Sequence, residues 1–463
     1  MKSGSEEAYK TPSIPNILSY SSAGFWSMLM WTVFGSYVFF FYERVLGLDT
    51  ILIFFAMLIF TAWDAINDPL IGFLTDRVTK FTRKTGKRFP WIVIGIIPAT
   101  LLFALLFMPP TTDAAANPLP VFGWIILITC LFDTMTTLCF VNIDSLFFDK
   151  FRTGEAMRKA RGWGTPLSMI ALPVASIVPP LLIVFGDPAS YVFMAWIMVA
   201  IAITVVILFL PGMFENKELR ERYYIGEQRR EKFVPELKSS LKQKSFVTYL
   251  ILFFGFQVVT GSLTGSIPYA VEFVLGGSEV DIIFLFASFL NGAIIGVPFW
   301  IMIAKRIKNN KKTAVIGGVT LTISAFLTAF YTGLIDSMIY MVILGFMMAN
   351  FWALMTIYFS EVLNERALLK RSAVRGTTVG VQNFFSRLSR GAQIGIFAIV
   401  HILTGFQEGS ATQTTLAKVG IRLHMSVIPA IILAICVLIY YLKHPLTPEK
   451  VFEINKQLSE IGF

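Results

Sequence analysis

Apolar residues run in blocks of about 20 or more along nearly the whole chain, separated by short polar connections. Blocks of that length cross roughly 30 Å of hydrocarbon as helices, because each helical residue advances the chain by about 1.5 Å. The pattern predicts spans at 17–42, 50–75, 90–109, 121–148, 162–185, 190–212, 247–275, 281–304, 314–333, 338–361, 376–404 and 422–442. One long hydrophilic interruption, from 214 to 245, divides these twelve spans six and six. The expected organisation is therefore a first six-helix half (1–213), a linker (214–245), a second six-helix half (246–445) and a tail (446–463). The halves echo each other, since the basic connection "DRVTKFTRKTGKRFP" after the second span has a basic counterpart, "KRIKNNKKT", after the eighth. Paired six-helix halves enclose a cavity near the bilayer midplane, where a solute and a coupling ion bind between them.

Composition agrees with an all-α membrane protein: 55% of residues are hydrophobic, 15% are charged, and mean hydropathy is +0.69. The first span is too long for a secretory h-region and lacks a small-residue cleavage site, so it is expected to be retained. The net charge of +10 would fit a nucleic-acid partner, but its distribution argues against one. Of the 39 Lys and Arg residues, 34 fall in the N-terminal tail, in alternate connections and in the C-terminal tail. The intervening connections hold only Arg44, Lys418 and Arg422. That asymmetry places both termini, the linker and the tail in the cytoplasm of a multi-pass plasma (inner) membrane protein. The linker's charge run is expected to be a solvated surface that touches anionic lipid. Cys130, Cys139 and Cys436 have no metal spacing, and His401, His424 and His444 are scattered and read as interface or tail residues. No Walker-type phosphate loop, zinc spacing or nucleophile elbow is present, so neither an ATP-driven pump nor a membrane hydrolase finds its chemistry here.

Charge inside the spans carries the functional signal. In "WDAINDP", Asp64 and Asp68 stand one helical turn apart with Asn67 beside them, roughly 20 to 27 Å into the second span. Two carboxylates about 5 Å apart repel by roughly 3 kcal/mol at an effective dielectric of about 20, so they need a small cation, a proton or a nearby Arg. Pro69 has no N–H and leaves the carbonyl of Ala65 without its helical partner, which adds an oxygen suited to a hard cation. In the fourth span Asp133 lies at mid-depth, while Asn142 and Asp144 stand nearer the cytoplasm. In the eleventh span Arg387 lies roughly 17 Å deep, placed either to bind an anionic group of a solute or to pair with the acids across the cavity. Arg390, one turn on, reads as a structural pairing residue. Trp26, Trp31 and Trp352 offer stacking surfaces, though any one of them also serves as packing.

The stretch "WDAINDPLIGFLTDRVTKFTRKTGKRFPW" resembles the second helix and following loop of the glycoside-pentoside-hexuronide:cation symporters, a family of the major facilitator fold typified by melibiose permease. The resemblance extends through "LSYSSAGFWSMLMWTVFGSYVFFFYERVLGL", "FWALMTIYFSEVLNE" and "VGVQNFFSR". It implies that Asp64, Asn67 and Asp68, with Asp133 from the fourth helix, form a sodium or proton site, Asp64 and Asp68 being the metal ligands if sodium couples. It also implies that Asn142, Arg161, Trp352 and Arg387 face the solute. Glu361 stands where the family usually has an Asp, and Arg387 where melibiose permease has a Lys. Met28, Ser27 and Asn142 occupy positions where sugar-binding charged residues are expected, and either Arg158 or Arg161 matches the family's fifth-helix Arg. The expectation is a non-enzymatic, monomeric symporter that takes up a glycoside, pentoside or uronide with Na+ or H+ as coupling ion and no cofactor. Sodium-coupled lysophospholipid carriers of the wider family give the alternative, an amphiphile carrier, and a non-transporting membrane receptor is a third reading. The membrane lipid itself is the other expected partner.

Overall fold

The computed structural model describes residues 12–75, 85–151, 153–222, 238–370 and 375–460. Most of the basic stretch after the second span and the middle of the linker (223–237) lie outside the described residues.

Among the described residues every regular element is a helix. The first half comprises α1 (Ile14–Phe40), α2 (Thr50–Thr75), α3 (Phe89–Leu105), α4 (Pro118–Lys150), α5 (Gly154–Met169, resuming as Ala171–Leu182) and α6 (Pro188–Phe209). The second comprises α7 (Lys244–Tyr269), α8 (Glu279–Ile307), α9 (Asn310–Leu327), α10 (Leu334–Lys370), α11 (Arg375–Thr404) and α12 (Thr415–Arg422, resuming as Ile428–Lys443). A short helix, α13 (Pro448–Glu460), follows in the tail and is tied to α10 by a Lys450–Glu365 ion pair of 2.9 Å. Ten of the described helical segments are long and apolar enough to cross a membrane; α3 is a shorter apolar helix. α11 spans 30 residues, but its polar positions, Arg387 and Arg390 among them, lower its hydropathy.

Local chemistry sets the helix ends. Pro15, Pro90, Pro118 and Pro188 open their helices at the first turn, where a missing N–H costs nothing. Asp187, Asn309 and Thr414 cap backbone N–H groups, and Ser278 with Asp281 forms a reciprocal capping box. α1 and α7, the opening helices of the two halves, end alike. Each passes into a π turn, Phe41–Val45 and Ala270–Leu275, each turn holds a glutamate, Glu43 or Glu272, and each is followed by a glycine with positive φ, Gly47 or Gly276. Such widened turns mark places where a helix departs from its regular ladder for a local purpose.

Close helix approaches rely on small residues, as expected where lipid gives no hydrophobic drive between helices. A Cβ on Gly345 would lie 2.0 Å from the Phe289 carbonyl oxygen, and one on Gly292 2.0 Å from that of Val342, so α8 and α10 touch backbone to backbone. At Gly391 a Cβ would come 3.1 Å from Thr61 Cγ2, which brings α11 against α2 one turn from Arg387.

At the end of the bundle opposite the basic connections, the two halves are joined. Arg44 pairs with Glu272 at 2.6 Å and donates to the Gly409 carbonyl at 3.1 Å. Gly409 N–H donates to the Glu43 carbonyl at 3.1 Å, and Glu279 accepts from Phe185 N–H at 2.5 Å. Gly47 and Gly409, both near φ +72°, face each other there, and a Cβ on Gly47 would reach within 3.5 Å of Gly409 Cα. Positive φ and the lack of a Cβ on both sides let these loops close on one another.

Candidate functional site in the membrane interior

α2, α4 and α11 bring their intramembrane polar groups to one place. α2 continues through Pro69 to Thr75, with the Asp64 and Asn67 side chains buried and Asp68 partly open, its side chain 30% exposed. The Asn67 amide donates to Asp133 Oδ2 of α4 at 2.9 Å, and Thr137 of α4 donates to Asp68 Oδ1 at 3.0 Å. Asp133 is itself buried and faces both Asp64 and Arg387.

Two guanidinium groups of α11 reach across from the second half. Arg387 Nε lies 3.1 Å from Asp64 Oδ1, its Nη1 donates to the Asp64 carbonyl at 2.6 Å, and its Nη2 pairs with Asp68 Oδ2. The backbone oxygen engaged is thus that of Asp64, one residue before the Ala65 carbonyl expected from the position of Pro69. Arg390 Nη2 is 3.4 Å from Asp64 Oδ2, and its guanidinium lies 4.6 Å from the centre of the Trp31 ring. A forked guanidinium held by two carboxylates and a carbonyl is well satisfied, whereas a lone buried charge is not.

Formal charges at the cluster do not cancel. Counted as ionised, Asp64, Asp68 and Asp133 would bring three negative charges against the two positive ones of Arg387 and Arg390, which leaves a place for one further positive charge, a cation or a proton. Two buried oxygens there also have no hydrogen-bond partner, Asn67 Oδ1 and, one turn along α4 from Asp133, Thr136 Oγ1. Buried oxygens are rarely left so, and each costs about 1–3 kcal/mol without a partner. Thr136 escaped the sequence reading; its position three residues after Asp133, on the same helix face, was the available signal. Among the described residues no group of three or more His, Cys, Asp or Glu side chains is arranged to hold a metal ion. The oxygens on offer are a few carboxylates mixed with neutral amide and hydroxyl groups.

The other expected solute-facing residues make their contacts with other groups. Both amide atoms of Asn142 are engaged: Oδ1 accepts from Arg88 at 3.2 Å and Nδ2 donates to the Leu138 carbonyl at 2.8 Å. Arg161 of α5 is exposed, stacks 4.9 Å from the Phe147 ring centre and has Asp144 nearby. Trp352 of α10 is half-buried, edge-on to Phe289 at 5.6 Å. Trp26 is fully buried, donates to Thr100 at 3.0 Å and packs on Phe132, which makes it a core residue. Glu361 accepts from Asn310 at 2.6 Å. His401 and His424 are fully buried where the two halves join.

With the geometry in place, comparison with known proteins fixes the family. The sequence profile described as MFS/sugar transport protein matches residues 19–447. The chain belongs to that family. It is a multi-pass membrane transporter of the major facilitator fold, and not an enzyme. A Danio rerio protein named Sodium-dependent lysophosphatidylcholine symporter 1-A is 21% identical, aligned over 86% of this chain and 79% of the relative. A Bacillus subtilis protein named Uncharacterized symporter YjmB is 24% identical over 98% and 97% of the two chains. Among solved structures, a variant of the nucleoside transporter NupG superposes with a TM-score of 0.57 at 15% identity, covering 93% of this chain and 99% of that one. That likeness is one of fold.

Proposed function

We propose that the chain is a cation-coupled symporter working by alternating access, with Na+ or H+ taking the one missing positive charge at Asp64, Asn67, Asp68 and Asp133. The single observation that carries the reading is the unbalanced cluster of three carboxylates and two guanidiniums with unpartnered oxygens beside it. The ion is substrate here. Asp64, Asp68 and Asp133 offer it charge; Asn67 Oδ1 and Thr136 Oγ1 offer it neutral oxygens. With the basic connections cytoplasmic, the joined end faces outward, and the structure corresponds to a state closed to the outside.

Coupling follows from what the ion displaces. A cation settling on Asp64 and Asp68 weakens their hold on Arg387, whose donors then become free for oxygens of the cargo. The ion-loaded cluster sums to zero, so it accepts a net-neutral cargo, and an anionic uronide would require a second cation. A glycoside is the first reading, supported by the family's description and by the half-buried Trp352 as a stacking face. A zwitterionic lysophospholipid is the second, supported by the printed names of several relatives and by the affinity of a freed guanidinium for phosphate. Each unit charge moving through 100 mV supplies about 2.3 kcal/mol, enough for more than tenfold accumulation of a neutral cargo.

The test is uptake into proteoliposomes of radiolabelled glycosides and lysophosphatidylcholine under imposed Na+ or H+ gradients, alongside thermal shifts of the purified protein with the same compounds and ions. Accumulation of one class, dependent on one gradient, is expected. Absence of accumulation under either gradient, together with thermal stability indifferent to both ions, would overturn the reading.

A further inference from the structure

The joined end contains a buried network that the cation site does not use. Glu43, in the π turn after α1, is fully buried in a cage of donors. Thr50 donates to its Oε1 at 2.6 Å and Tyr269 of α7 to its Oε2 at 2.5 Å, while His401 Nδ1 of α11 lies 2.9 Å and 3.0 Å from the two oxygens. His401 Nε2 is 3.1 Å from His424 Nε2 of the α12 π turn, and His424 Nδ1 is 2.7 Å from Ser266 Oγ. Ser266 in turn donates to the Ser262 carbonyl at 2.5 Å.

Proton counting along this chain gives a definite result. Two oxygens 2.5 Å apart need a proton between them, and a serine has only one, so Ser266 Oγ accepts from His424. His424 Nδ1 is then protonated and its Nε2 accepts, which requires a proton on His401 Nε2. What remains is the contact between His401 Nδ1 and the Glu43 carboxylate. A neutral His401 would present a bare lone pair to an anionic oxygen at 2.9 Å, so one further proton must reside there, on either partner.

A second count at Thr50 agrees. Its single hydroxyl proton lies between Glu43 Oε1 at 2.6 Å and Glu408 Oε1 at 2.7 Å, and it serves only one of the two. The other contact requires a protonated carboxyl. The groups facing Glu43 are Arg44 on its own element, Tyr269 of α7, Glu272 of the π turn after it, His401 of α11, His424 of the π turn within α12 and Glu408 of the loop after α11. With Glu43 itself, three acids face one arginine, and that arginine is paired with Glu272.

We infer that this network is a proton-binding site that locks the closed outer gate: the halves join at Glu43, His401 and Glu408 with a bound proton, and separation of the halves releases it. The site is distinct from the Asp64 cluster, and the inference depends on neither the coupling ion nor the cargo. The sign follows from linkage. Closure takes up a proton, so acid favours the closed state. Above the pH at which the opened site loses that proton, the closed-to-open ratio falls about tenfold per pH unit for each proton bound.

The test uses spin labels at Ala115→Cys and Ala411→Cys, exposed positions of the first and second halves beside the gate, on the full chain in nanodiscs. Distances between them are measured by pulsed electron resonance from about pH 4 to about pH 9. The expected result is a short-distance population that gives way to a longer one as pH rises. Glu43→Gln, whose amide nitrogen in the Oε1 place donates to a neutral His401 and to Thr50 while its oxygen still accepts from Tyr269 and Thr50 turns its proton to Glu408, is expected to hold the short distance at every pH. A wild-type distribution that does not change with pH overturns the inference, even if the variant fails to insert. So does a Glu43→Gln protein that keeps the wild-type transition.

Discussion

Replacing Arg387 with Gln tests whether guanidinium and cation compete for the same carboxylates. In the structure Arg387 contacts Asp64 Oδ1, the Asp64 carbonyl and Asp68 Oδ2, and its side chain is only 15% exposed. Its removal takes the cluster from a deficit of one positive charge to a deficit of two. A unit charge about 6 Å from the bound ion, at an effective dielectric of about 20, contributes roughly 3 kcal/mol of repulsion. Discounted by about half for the partial exposure of Asp68 and for salt, this corresponds to a roughly tenfold gain in cation affinity or somewhat more. The assay is sodium titration of the purified protein by intrinsic tryptophan fluorescence, with Trp31 and Trp63 both close to the cluster: Trp31 lies against Arg390, and Trp63 donates to Thr134 at 2.9 Å. The titration is repeated at several pH values, because a proton competes with sodium for the unmatched charges. The variant is expected to bind sodium about tenfold more tightly and yet to lose accumulation, since the ion no longer frees a group for the cargo. Sodium affinity unchanged or weakened in a folded Arg387→Gln protein would refute the competition.

Other consequences follow from the same contacts. Asp68→Asn cancels the charge deficit and is expected to abolish gradient-driven accumulation while membrane insertion stays normal, checked by uptake assays and by size-exclusion profiles of the purified protein. Arg44→Met leaves Glu272 buried without its partner; breaking a buried pair costs about 3–5 kcal/mol, so the labelled gate is expected to shift towards the longer distance at a fixed acidic pH. Gly345→Ala pushes a methyl against the Phe289 carbonyl and is expected to lower thermal stability by about 1–3 kcal/mol, whereas Gly123→Ala, with nothing within 4 Å, should be close to neutral. Equal melting temperatures for those two variants would contradict the close α8–α10 contact.

Much of the architecture could be read along the chain because its cause is local. A helix in lipid satisfies its own backbone, so a block of apolar residues reveals both the element and its length. The second span was expected at 50–75 and is Thr50–Thr75. The same logic marked Asp64, Asp68, Asp133 and Arg387, since a charge in hydrocarbon is anomalous wherever it sits. The sequence alone could not say which of two roles Arg387 would take. The structure has it on Asp64 and Asp68, 323 and 319 residues away in the chain, and close approach of α11 to α2 at Gly391 makes that reach possible.

His401, His424 and Glu43 show the opposite case. Each sits near the end of a span, where a polar residue is unremarkable, and no spacing connects them. Only the packing of α1, α7, α11 and α12 shuts them away from water and turns three ordinary side chains into one hydrogen-bonded chain. The partners of Asn142 and Trp26 were equally out of reach of the sequence: Arg88 and Leu138 engage the one and Thr100 the other. Hydropathy and charge placement are properties of a residue and its neighbours in sequence, and they determined the membrane helices and the presence of charged side chains in the membrane interior. Which charges meet, and which oxygens are left without a partner, depends on helices that are distant in sequence and adjacent in space, so the tertiary structure decided both.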